Sequence, residues 1–117
     1  MDLRKCYLTA GGDYEDVMRR FMREERVDRF LKMFLDDQSF KSLCSAMDEK
    51  DYANAFRMAH TVKGISMNLS LTDLQEASAA LTENLRSGGA DEDTGRYLEA
   101  MKCSYDRTCA AISAHLN

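Results

Sequence analysis

Apolar residues return every three or four positions along most of a 117-residue chain that contains no proline. Proline breaks helices because it lacks an amide donor and clashes with the preceding turn. Without it, a 3.6-residue apolar period can run on, and each apolar stripe must be buried against another. Val27, Phe30, Leu31, Phe34 and Leu35 form one stripe, resumed by Phe40, Leu43, Cys44 and Met47 after Asp36-Asp37-Gln38-Ser39. Tyr52, Ala55, Ala59, Val62, Ser66 and Leu69 form a second; Leu74, Ala77, Ser78, Leu81 and Leu85 form a third. The fourth has Tyr97, Met101, Tyr105 (or Ser104), Thr108 and Ile112. Eight methionines and frequent alanine and leucine favour helix over strand, and no period-2 segment stands against them.

The expected fold is all-α, an antiparallel four-helix bundle with a short N-terminal helical cap, in one domain spanning 1–117. The bundle occupies 26–116, with members at 26–49, 51–69, 72–87 and 92–116, and short connections make successive helices antiparallel neighbours. Whether 26–49 is one kinked helix or two is left open by the pattern. Residues 1–22 read as two short helices divided by Gly11-Gly12. Asp13, Ser39 and Asp51 are placed as N-caps, and Thr72 with Gln75 has capping-box spacing. Ser87-Gly88-Gly89 closes the third member, and Gly95 should fray the start of the last rather than break it. A chain of this length buries about two-thirds of its unfolded surface.

Several classes of function fall away. No apolar run approaches the ~20 residues of a membrane span, and Met-Asp-Leu-Arg-Lys opens no signal peptide, so a soluble, cytoplasmic protein is expected. A net charge of −4 argues against nucleic acid. Arg19, Arg20, Arg23 and Arg26 alternate with Glu15, Asp16, Glu24, Glu25 and Asp28, the pattern of a solvated, ion-paired face. Cys6, Cys44, Cys103 and Cys109 lack Cys-x-x-Cys spacing and read as reduced apolar residues rather than disulfides or a metal site. There is no glycine-rich nucleotide loop.

His60 departs from the apolar pattern. At about 100° per residue it projects nearly opposite the Ala55–Ala59–Val62–Ser66 stripe, with Lys63 beside it and Gly64 one turn above. Phe56, Arg57 and Met67 complete the patch. A neutral imidazole is a good nucleophile toward phosphorus, and the Lys63 ammonium would stabilise the added negative charge. Glycine inside a helix costs about 1 kcal/mol relative to alanine, so Gly64 needs a reason. Clearance for a partner's active site supplies one; close helix packing would supply another. A lone histidine is more often structural than reactive, and Met67 and Phe56 would be ordinary core in many helices. The conjunction of His60, Lys63 and Gly64 on one polar face favours chemistry.

Residues Ala59-His60-Thr61-Val62-Lys63-Gly64-Ile65-Ser66-Met67-Asn68-Leu69 closely resemble the signature of histidine-containing phosphotransfer domains of two-component phosphorelays, Ala-His-x-(apolar)-Lys-Gly-x-(small)-x-Asn-(apolar). Leu74, Ser78 and Leu81 continue the match over about thirty residues. Ser70 stands where the family often has glycine and reads as a polar helix-end or N-cap residue. The resemblance implies a helical bundle and a phosphorelay intermediate. His60 would accept a phosphoryl group from a receiver-domain aspartate and pass it to another receiver, with Lys63 neutralising charge and Gly64 giving access. It implies partners in response-regulator receivers and a hybrid sensor histidine kinase, with Phe56, Arg57 and Met67 as docking residues. The Mg²⁺ would sit on the receiver, leaving no cofactor or metal on this chain and no kinase activity of its own. A monomer is expected. The lack of a catalytic domain or long linker argues for a freestanding relay protein, with a domain excised from a longer chain left open as the alternative.

Three alternatives belong to other classes. One is a docking module that binds a receiver or kinase without carrying phosphate; the intact His60, Lys63 and Gly64 count against it. Another is a metal- or cofactor-binding bundle. The third is the phosphoacceptor domain of a chemotaxis-type kinase.

Overall fold

The structure, a computed structural model, describes residues 2–117. Seven α-helices and no strand lie within them: α1 (Leu3–Ala10), α2 (Tyr14–Phe21), α3 (Glu24–Asp36), α4 (Ser39–Asp48), α5 (Tyr52–Asn68), α6 (Thr72–Leu85) and α7 (Thr94–Leu116). Aspartates start three of them. Asp2 accepts from the Lys5 amide (2.8 Å), Asp13 from Asp16 (3.0 Å) and Asp51 from Asn54 (3.2 Å), each taking up one of the amides a helix start leaves unpaired.

Residues 26–49 are two helices, and the reason is local. Asp37 is extended (φ −70°, ψ 136°), and its Oδ1 accepts from the Ser39 amide at 2.8 Å. The aspartate reaches two residues on and takes up Ser39's own amide, which draws Ser39 into the first turn of α4 rather than leaving it at the cap. Ser39 is instead the first residue of α4, and Gln38 holds the cap position without a side-chain bond.

The capping box at Thr72 does not form either. Thr72 is already helical, Leu71 occupies the cap, and the Asp73 amide donates to the Gly11 carbonyl at 3.0 Å. A carbonyl from the α1–α2 connection thus replaces a local side chain. Ser70 ends α5 and does not cap α6. It sits in the left-handed region (φ 55°) while its amide donates to Met67 (3.1 Å) and the Leu71 amide to Ser66 (2.8 Å), a Schellman closure.

A left-handed residue with a Cβ costs on the order of 1 kcal/mol. The Ser70 hydroxyl offsets this by donating to Asp16 Oδ2 at 2.7 Å. That bond, with the Arg20 and Arg19 contacts, holds the Asp16 carboxyl below its ordinary value of 3.8. A carboxyl depressed in the fold contributes stability that is present above the unfolded pKa and lost as pH falls through the folded one. The melting temperature of wild type should therefore drop more steeply than that of Asp16→Asn below about pH 4, the ordinary carboxylate range. Between pH 5 and 7 the two melting curves should stay parallel. Equal slopes in acid would show that the Ser70–Asp16 bond contributes nothing.

The third connection is longer than expected: α6 stops at Leu85 and α7 starts at Thr94. Asn84 Nδ2 donates to Asp91 (3.0 and 3.2 Å), Thr94 Oγ1 donates to Asn84 Oδ1 (2.6 Å), and the Asp91 amide donates to Thr94 Oγ1 (2.8 Å). This ring of bonds holds residues 86–93 as a closed loop.

The α5 helix packs against α4 and α6, α6 packs on α7, and α7 also contacts α1 and α3. Leu31, Leu43, Ala55, Ala59, Leu74, Leu81, Met101 and Ile112 are buried from these helices, and Phe40 stacks on Tyr105 (centroids 4.0 Å apart). Tyr7 of α1 is fully buried, and its hydroxyl donates to the Leu69 carbonyl at 2.7 Å; burial pushes its phenol far above the usual range. Gly12 permits this approach, since a Cβ there would lie 2.7 Å from Tyr7 Cδ2 and 2.9 Å from the Ser70 carbonyl oxygen. The Asp13 amide donates to that same oxygen (2.8 Å), and Arg107 bridges Asp73 and the Ala10 carbonyl. The N-terminal helices thus clamp the C-terminal end of α5 and leave its outer face open.

Candidate functional site

Ala55, Ala59, Val62 and Ser66 are buried along α5, and His60 on the opposite side is exposed. The inner stripe of small residues lets α4 and α6 approach closely, which fixes the rotation of α5 about its axis and so the direction of His60. The Ser66 hydroxyl donates back to the Val62 (2.7 Å) and Lys63 (3.0 Å) carbonyls and takes no part in the outer face. The Phe56 ring lies one turn below the imidazole and nearly parallel to it, at 11° with centroids 6.3 Å apart.

Gly64 lies one turn above His60. A Cβ built there would meet no atom within 4 Å, so close helix packing does not explain this glycine. It leaves open space over the imidazole. Lys63 is half-buried and has no ion-pair partner among the described residues, so its ammonium is not already neutralised. Arg57 shares the face, but its Nη2 donates to Asn54 at 2.9 Å, directing it toward the preceding turn. Met67 is 41% exposed two turns above His60.

One neighbour escaped the reading of the sequence. The Arg86 guanidinium carbon lies 5.4 Å from the Phe56 ring centroid, and its Nε donates to Glu83 at 2.9 Å. This brings a second cation from the end of α6 to the lower edge of the patch. Its only signal in the sequence was position: it follows the last apolar residue of a helix antiparallel to α5.

The four cysteines are free. Burial pushes the Cys6 thiol up to about 11 and raises Cys44 and Cys109 as well. Among the described residues no three His, Cys, Asp or Glu side chains are grouped to hold a metal, and no helix is long and apolar enough to cross a membrane. Of the arginine cluster, Arg19 and Arg20 pair with Asp16, whereas Arg23 and Arg26 have no carboxylate partner among the described residues.

The imidazole stands on an open helix face with a cation and a gap beside it, and no cleft encloses it. The family profile described as Hpt domain matches residues 29–112, and the chain belongs to that family. It is therefore a phosphocarrier domain with a histidine phosphotransfer role in phosphorelays, a role that entails interaction with receiver domains and kinases. No curated protein and no solved structure matches the chain.

Proposed function

We propose that His60 is the phosphoacceptor, taking a phosphoryl group from the aspartyl phosphate of one receiver domain and delivering it to the aspartate of another. The observation that carries this reading is the exposed imidazole opposite a buried stripe, with open space over it at Gly64. The lone pair of the neutral imidazole attacks phosphorus. The new N–P bond forms as the P–O bond to aspartate breaks, and that electron pair leaves on the carboxylate. The second ring nitrogen keeps its proton. Transfer to the next receiver is the same exchange in reverse, so the direction of flow follows the supply of phosphorylated receiver.

Lys63 neutralises part of the charge that arrives with the phosphoryl group, as phosphoryl transfer requires. Phe56 and Met67 serve as apolar contacts, with Lys63 and Arg57 at the polar rim, the usual anatomy of a transient interface. Any Mg²⁺ belongs to the receiver, and this chain acts without a cofactor of its own. A carrier that serves partners in turn must release them, which suits micromolar binding, about −8 kcal/mol.

Incubation with aspartate-phosphorylated receiver domains tests the proposal. The protein should acquire label in an acid-labile, alkali-stable linkage, the signature of a phosphoramidate. A folded protein that takes no label from a panel of receivers would point instead to a docking module.

A further inference from the structure

Three methionines are exposed among the described residues: Met22 at 72%, Met33 at 58% and Met67 at 41%. Met22 caps the C-terminal end of α2 and Met33 lies on α3, whereas Met67 shares α5 with His60. Seven residues at about 100° each bring Met67 back to within about 20° of His60, about 10 Å along the helix axis. Gly64 lies between the two without a side chain, and a Cβ there would meet nothing within 4 Å. The space that admits a receiver to the imidazole therefore also opens the Met67 thioether to small solutes.

The thiols of this chain give that sulfur little protection. Cys6 is buried, Cys44 and Cys109 are half-buried, and burial holds their protons on, whereas the thiolate is the form that reacts with peroxide. Only Cys103 is exposed. A thioether has no proton to lose, so an accessible methionine stays nucleophilic at neutral pH. Its sulfur attacks one oxygen of a peroxide. The S–O bond forms as the O–O bond breaks, sulfur gives up two electrons, and the other oxygen leaves as water. The product replaces a flexible apolar side chain with a polar, chiral one. A partner burying about 800 Å² on this chain covers a disc of roughly 16 Å radius, so a sulfoxide at Met67 falls inside a contact centred on His60 and must lose its water there.

We infer that Met67 is an oxidation site that controls phosphotransfer: its sulfoxide weakens receiver docking over His60, and reduction of the sulfoxide restores it. This rests on the phosphotransfer reading above, with Met67 as a docking contact. The test exposes wild type and Met67→Leu to hydrogen peroxide, then to dithiothreitol, which returns disulfide and sulfenic acid at Cys103 to the thiol and leaves methionine sulfoxide in place. Peptide mass spectrometry reads the sulfoxide at each methionine. Transfer is measured from the receiver domain that labels wild type best, over a range of receiver concentrations. Labelling by phosphoramidate, a small donor that needs no docking, runs beside it to report on His60 and the fold. Oxidised wild type should need roughly fivefold more receiver, or beyond, for half-maximal rate, the consequence of burying an unpaired polar oxygen. Its labelling by phosphoramidate should not change, and methionine sulfoxide reductases should return transfer to the untreated value. Met67→Leu should match untreated wild type within about twofold and should not respond to peroxide.

A sulfoxide formed at Met67 with half-saturation unchanged overturns the inference and leaves the phosphocarrier reading intact. So does an equal loss in oxidised Met67→Leu, which would assign the effect to Met22 or Met33. Oxidation of Met22 and Met33 with Met67 spared overturns the access argued from Gly64. Untreated wild type that takes no label from either receiver or phosphoramidate overturns the phosphocarrier reading, and the role of Met67 with it.

Discussion

His60→Ala should acquire no phosphoryl label from any receiver that labels wild type, while its melting temperature stays within about 3 °C of wild type. The first half follows from chemistry, because alanine has no lone pair to offer phosphorus and no other histidine stands on this face of α5. The second follows from where His60 sits. It is exposed, and its ring contact with Phe56 is loose at 6.3 Å. Alanine is the better helix former by about 0.7 kcal/mol or less, which offsets the lost contact. Far-UV circular dichroism and a thermal melt check the fold, and retention of label checks the nucleophile. Label that persists on the alanine variant would mean the acceptor is another residue. A melting temperature lowered by 10 °C or more would mean that His60 holds the bundle together.

Gly64→Gln separates stability from docking in opposite directions. Replacing a mid-helix glycine should stabilise α5 by about 1 kcal/mol, since a Cβ there meets nothing within 4 Å. For a domain of this size that is a rise of several degrees in melting temperature. The same side chain fills the space above the imidazole, so transfer from a receiver should fall at least tenfold, a cost of about 1.4 kcal/mol or more in the docked complex. Gly64→Ala should share the gain in stability with a smaller loss of transfer. A more stable Gly64→Gln protein that still accepts phosphate at the wild-type rate would remove the clearance role of this glycine.

Much of the fold was legible in the order of residues because helix rotation is a local property. The Ala55–Ala59–Val62–Ser66 stripe sets one side of α5 inward, and 100° per residue then places His60 outward wherever the neighbours lie. Asp13 and Asp51 cap as read, since a cap needs only three residues. One failure was local in origin and two were tertiary. Ser39 lost the cap position to Gln38 when the Asp37 turn drew it into the helix, and the Thr72 box lost to the Gly11 carbonyl, a partner sixty residues away. Phe30 was counted in an inward stripe, yet it remains 37% exposed. Its helix, α3, packs chiefly on α2 and α7, which cover less apolar width than α3 offers.

The candidate site divides along the same line. The phase of α5, and with it the shared face of His60, Lys63, Gly64 and Met67, belongs to the sequence alone, because one helix contains them all. The tertiary structure decided what stands beside that face: Arg86 near Phe56, Tyr7 locking Leu69, and the groove where α2 and α3 meet Ile65. Those proximities depend on which helices touch and how far each side chain reaches across the contact, and no single helix's periodicity carries that information.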